Sequence, residues 1–80
     1  MMSFELHNLV AEVMNVPASI VNDRSSPETI ANWDSFHLLI LVDTLETTFN
    51  VKFTLDEVLN TKTVSDIKQN LENHGISFQG

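Results

Sequence analysis

The sequence predicts an all-α domain built as a four-helix bundle, with three main helices, one short helix and a long loop between the first and second helices. Three observations predict it. Apolar residues recur at helical spacing, Ser/Thr/Asp cap signals stand where those patterns begin, and no segment alternates apolar and polar residues as a half-buried strand would.

In the first helix Leu6, Leu9, Val10, Val13 and Met14 fall at i, i+3, i+4, i+7 and i+8, one face of an amphipathic helix with Ser3 as its expected N-cap. Asn15-Val16-Pro17 ends it. The connection from Pro17 to Trp33 carries turn signals, with Ser26-Pro27-Glu28 suited to a short helical turn and Ile20, Val21, Ile30 and Trp33 expected to pin the loop to the core. Asp34 opens the second helix. Thr54-Leu55-Asp56-Glu57 reads as a capping box for the short helix, which carries Val58 and Leu59. Thr63-Val64-Ser65-Asp66 starts the last helix, with Val64, Ile67 and Leu71 facing inward and Gly75 as its C-terminal stop. Residues 1–75 form the expected domain and 76–80 a loosely held tail.

The chain has 80 residues, 42% of them hydrophobic, and only two Gly and two Pro. A domain this small buries about 60–65% of its unfolded surface, which leaves little depth for an enclosed active site. Without cysteine it has no disulfide framework, thiolate zinc site or Cys nucleophile, so a cytoplasmic location is the expectation. The N-terminal residues show neither a basic leader nor a continuous apolar segment, and the longest apolar run, Leu38 to Val42, is too short to cross a bilayer. Eleven acidic against four basic residues give a net charge of −7. That balance argues against nucleic acid or an anionic membrane as partner and favours basic surfaces.

Asp34-Ser35, between Trp33 and the run Phe36-His37-Leu38-Leu39-Ile40-Leu41-Val42, places a hydroxyl at the mouth of a helix. Asp34 caps the first turn, and Ser35 takes the first helical position with its side chain outside the backbone ladder. A hydrolytic serine needs a base in reach and usually a G-x-S-x-G turn. Neither accompanies Ser35, since His37 is set roughly 200° around the helix. The arrangement suits covalent attachment better than catalysis.

Along the same helix Leu38, Leu41, Val42, Leu45 and Phe49 form the inward stripe. Phe36, Leu39, Ile40, Asp43 and Thr47 form a second stripe about half a turn away, so three apolar residues are offered to solvent or a partner.

With these residues in place the chain resembles the acyl carrier proteins, phosphopantetheine-binding four-helix domains whose attachment motif reads Asp-Ser-Leu; here it is Asp34-Ser35-Phe36. The resemblance runs from the first helix through Leu71 and includes Leu41-Val42, Leu45-Glu46, Phe49, Phe53-Thr54 and Thr63-Val64-Ser65-Asp66-Ile67. It implies that a phosphopantetheinyl transferase, using coenzyme A and Mg²⁺, attaches 4′-phosphopantetheine to Ser35, the serine being substrate and not catalyst. It further implies a monomeric, non-enzymatic carrier of thioester-linked acyl or aminoacyl groups. An acyl-loading ligase or acyltransferase and a downstream synthase or transferase would meet Phe36, Leu39, Ile40, Asp43 and Glu46 through basic docking patches. Leu38, Leu41 and Leu45 would line a cavity for the cargo.

Two departures shape the subtype. His37 and Ile40 stand where primary fatty-acid carriers commonly hold acids, and Thr47-Thr48 replaces part of a glutamate run. With Trp33 before the motif, the chain is more similar to stand-alone specialised carriers than to the housekeeping one. His7, His37 and His74 lack paired-ligand spacing, so no metal site is expected. The alternative is an unmodified helical adaptor that docks through the exposed stripe, which leaves the serine at its edge unexplained.

Overall fold

The computed structural model describes residues 2–79 and contains, in order, α1 (Ser3–Met14), a single 3₁₀ turn (Ala18–Ile20), α2 (Ser35–Phe49), α3 (Leu55–Leu59) and α4 (Val64–Asn73). Met1 and Gly80, at the ends of the expected domain and tail, lie outside the described residues. The four-helix expectation holds, and no strand appears among the described residues. The core gathers Leu6, Val10 and Met14 of α1, Leu41 and Leu45 of α2, and Val64, Ile67 and Leu71 of α4, with Ile30 and Trp33 supplied by the loop.

Helix α1 begins one residue earlier than its sequence suggests. The Met2 N–H donates to the Glu5 carboxylate (3.2 Å), so Met2 is the N-cap and Ser3 is drawn into the first turn. Ser3 is buried there, with a hydroxyl that has no partner among the described residues. At the other end Asn15 takes the left-handed conformation (φ 57°), a conformation Asn tolerates better than most residues, and the Val16 N–H returns to the Ala11 carbonyl.

The long loop is held by polar contacts as much as by apolar ones. The Asn32 amide donates to the Met14 carbonyl (2.7 Å), covering an unpaired acceptor at the end of α1. The Ser25 and Asp23 carbonyls accept from Val64 N–H (3.0 Å) and Ser65 N–H (2.9 Å), giving two donors at the start of α4 their partners. Asp23 also bridges elements through its side chain, with His7 Nε2 at 2.8 Å from one oxygen and Lys68 Nζ at 2.8 Å from the other. Val21, Ile30 and Trp33 are buried as expected, whereas Ile20 is exposed. The chain leaves the 3₁₀ turn extended at Val21 (ψ 130°), and consecutive residues then point to opposite sides. Ser26-Pro27-Glu28 makes one hydrogen-bonded turn, with Thr29 and Ile30 N–H groups on the Ser26 carbonyl, and does not continue as a helix.

Both downstream capping boxes form. Thr54 Oγ1 accepts from Glu57 N–H while the Glu57 carboxylate accepts from Thr54 N–H, and Thr63 and Asp66 repeat the exchange. Gly75 follows α4 with φ 93°, where a side chain would be strained, and turns Ile76 back so that its N–H reaches the Leu71 carbonyl. The segment beyond is anchored, contrary to the loose tail expected. Ile76 and Phe78 pack on the core, Lys68 Nζ lies 5.7 Å from the Phe78 ring centroid, and Gln79 bridges to Met2. Two apolar residues at alternate positions of an extended segment provide the anchorage.

Candidate functional site

The site is the start of α2. Trp33 is buried and its N–H bonds the Ile30 carbonyl, which fixes the chain one step before the helix. Asp34, in extended conformation, is the N-cap. Its Oδ1 accepts from the His37 backbone N–H at 2.9 Å and also lies 2.9 Å from His37 Nδ1. These two contacts, the backbone one first, hold the Asp34 carboxyl below its ordinary pKa. His37 therefore serves Asp34. Ser35 occupies the first helical position, is exposed, and its hydroxyl makes no hydrogen bond among the described residues.

The two stripes of α2 separate as their spacing requires. Leu41 and Leu45 are fully buried, and Leu38, Val42 and Phe49 are half-buried. On the opposite face Phe36, Leu39 and Ile40 are 69%, 62% and 40% exposed, with the Phe36 ring edge-on to His37. Asp43 is exposed beyond them. Glu46, expected on the docking face, is half-buried and accepts from the Phe53 N–H (2.9 Å), so it secures the connection to α3.

Between α2, α3 and α4 runs a crevice lined by Leu38, Leu41, Val42, Leu45, Phe53, Val58, Thr61, Ile67 and Asn70. Its empty volume is about 250 Å³ with the open mouth counted, and little of that is wide enough for a water molecule. It is thus an apolar seam with room for about one water. Its polar wall is internally satisfied, the Asn70 amide donating to Thr61 Oγ1 at 3.0 Å.

Sequence reasoning missed the neighbouring face of α3, where Leu55 and Leu59 are 72% and 67% exposed. Their i, i+4 spacing in a one-turn helix was the available signal. It also missed that each histidine meets a carboxylate: His7 with Asp23, His37 with Asp34, and His74 with Glu57. No group of three His, Cys, Asp or Glu side chains among the described residues could hold a metal.

Asp23, Asp34 and Glu57 all have lowered pKa values, through hydrogen bonds from Lys68 and then His7, from the His37 N–H and ring, and from His74 and then Thr54, respectively. A carboxyl whose pKa is lower folded than unfolded stabilises the fold above its unfolded value and loses that contribution as pH falls through the folded one. Melting temperature is therefore expected to hold from pH 7 to about 5 and to fall below pH ~4. Asp23→Asn should flatten that acid limb; a pH–melting profile identical to the native one would contradict the assignment.

The model of the family described as "phosphopantetheine attachment site" matches residues 5–71, most of the chain, including the starts of α2, α3 and α4. The chain belongs to this family of acyl carrier domains. The prosthetic group of such a carrier is 4′-phosphopantetheine. Among solved structures the carrier fold here is similar to "a putative acyl carrier protein (Rv0033)" from Mycobacterium tuberculosis, with a TM-score of 0.81 at 18% identity, over 92% of this chain and 99% of that one. No curated sequence matches this carrier domain. No helix among the described residues is long and apolar enough to cross a membrane.

Proposed function

We propose that Ser35 is the attachment residue and that the chain delivers thioester-linked acyl or aminoacyl groups between biosynthetic enzymes. One observation carries this reading: a solvent-open, unpartnered serine hydroxyl stands at the capped start of α2, inside the span matched by the attachment-site family. The residues fit the group. Asp34 and His37 fix the helix start without engaging the serine, so Ser35 Oγ is free to attack the pantetheine-side phosphorus of coenzyme A held with Mg²⁺ by a phosphopantetheinyl transferase: the Ser–O–P bond forms as the pyrophosphate P–O bond breaks, adenosine 3′,5′-bisphosphate leaves, and the hydroxyl proton passes to a base of the transferase. The arm supplies a terminal thiol, the one nucleophile that this cysteine-free chain lacks.

In this reading the chain's own work is positional, and chemistry on the cargo belongs to the partners: a loading ligase or acyltransferase, then a synthase or transferase. As a monomer that must leave each enzyme quickly, it should bind them weakly. The departures at His37, Ile40 and Thr47-Thr48 support a specialised carrier with a dedicated loading enzyme. Chain recovered from its producing cells should yield a Ser35 peptide bearing the arm, part of it acylated and released by neutral hydroxylamine. Uniformly bare Ser35 would favour the unmodified adaptor.

The crevice behind Leu38, Leu41 and Leu45 is the proposed seat for an apolar cargo, and its narrowness means that its walls must part for a chain to enter. Leu38→Phe, which crowds the mouth, is expected to shorten the hydrolytic half-life of an acyl thioester loaded on Ser35 toward that of free acyl-pantetheine. An unchanged half-life would count against sequestration.

A further inference from the structure

We propose that the Glu57–His74 pair is a latch that holds α3 against α4 and sets how readily the crevice opens to cargo. The inference rests on the carrier reading for what enters, and it assigns the residues that control entry. Two of the three walls of the crevice are built into the core: Leu41 and Leu45 of α2 and Ile67 of α4 are buried. The third wall is not. It consists of Phe53, Val58 and Thr61, each only half-buried, and α3 itself buries no side chain while its Leu55 and Leu59 face solvent. A helix of five residues is not stable alone, so what fixes this wall comes from outside it.

That fixing is polar. The His74 ring, at the C-cap of α4, places Nε2 3.0 Å and 3.1 Å from the two Glu57 oxygens. A carboxylate only accepts, so Nε2 carries the proton. The same carboxylate accepts from the Thr54 N–H at 2.8 Å, so one side chain joins the start of α3 to the end of α4. The His74 ring also stands edge-on to Phe53, with 5.5 Å between centroids, and Phe53 lines the crevice. Of the three histidine–carboxylate pairs this one is the most withdrawn from water: the Glu57 side chain is 20% exposed, against 49% for Asp23 and 62% for Asp34. Its hydrogen bond is therefore the least weakened by solvent. The Asn70 amide adds a second tie at Thr61, beyond the end of α3, so releasing the latch frees α3 without detaching it.

The test is amide hydrogen exchange of the native chain, Glu57→Gln and His74→Ala, none of them carrying the arm. Glu57→Gln keeps an acceptor for the Thr54 N–H and removes the charge, whereas His74→Ala removes the ring. In both variants the Val58 and Asn60 amides, which bond the Thr54 and Asp56 carbonyls, should exchange about fivefold faster or more. Amides around Leu41 and Leu45 in α2 should exchange as in the native chain, because the opening is local. The same three chains are then given an octanoyl-loaded arm, and both variants should shorten the thioester half-life by a similar factor. Native α3 exchange in both variants overturns the proposal. So does an equal rise in α3 and α2, which makes the pair a general support of the fold. Faster α3 exchange with an unchanged half-life overturns the gating role. A native half-life already as short as that of free octanoyl-pantetheine shows instead that the crevice holds no cargo. If the native chain gains no arm while another carrier does, the carrier reading itself fails, and α3 exchange still decides the latch.

Discussion

Ser35→Ala is expected to abolish arm attachment completely while leaving the melting temperature within a degree or two of native. The two halves of that expectation have separate causes. Attachment needs an oxygen nucleophile at the first position of α2, and alanine removes it. Stability is spared because the hydroxyl is exposed, bonds nothing among the described residues, and precedes the first residue whose N–H is capped by Asp34. Surface substitutions of this kind usually change stability by less than about 0.5 kcal/mol. Intact mass after transferase treatment, with a circular dichroism melt of the same sample, checks both halves. A variant that failed to fold would show that Ser35 holds the helix start and is not merely presented by it.

Leu41→Ala should have the largest effect on stability. Leu41 is fully buried, seven residues into α2, and packs in the core with Leu6, Val10 and Leu71. Truncating a buried leucine typically costs about 2–5 kcal/mol, counting both lost transfer energy and the cavity left behind. A domain of this length has only about 4–12 kcal/mol in all. The melting temperature should therefore fall by more than about 10 °C. Leu39→Ala, two residues earlier on the exposed face, is expected to change it by less than about 3 °C. Equal losses at the two positions would mean that the stripes of α2 are assigned to the wrong faces.

Much of this division was legible in the sequence because it depends on spacing alone. The 3.6-residue period separates Leu41 and Leu45 from Phe36, Leu39 and Ile40, and the Thr54/Glu57 and Thr63/Asp66 pairs mark helix starts within four residues. What stayed hidden depends on partners distant in the chain. Asp23 reaches Lys68 across 45 residues and His7 across 16, and no local pattern announces either contact. The same limit explains the anchored Ile76 and Phe78, whose burial is decided by where the core lies and not by their own neighbours. Ile20 and Val21 are equally apolar, and only the exit direction of the 3₁₀ turn decides which points inward. At the site, the Asp34 cap and the openness of Ser35 were foreseeable from helix-end chemistry. The ring of His37 on Asp34 and the capture of Glu46 by Phe53 N–H were not, because each depends on a side-chain orientation that spacing leaves free.

The central claim, that Ser35 bears the phosphopantetheine arm, is tested most directly by intact mass and peptide mapping after incubation with coenzyme A, Mg²⁺ and a broad-specificity phosphopantetheinyl transferase. A single phosphopantetheinyl addition is expected, confined to the peptide containing Ser35 and absent from Ser35→Ala. No addition under conditions that modify another carrier, or an addition that persists in Ser35→Ala, would contradict it.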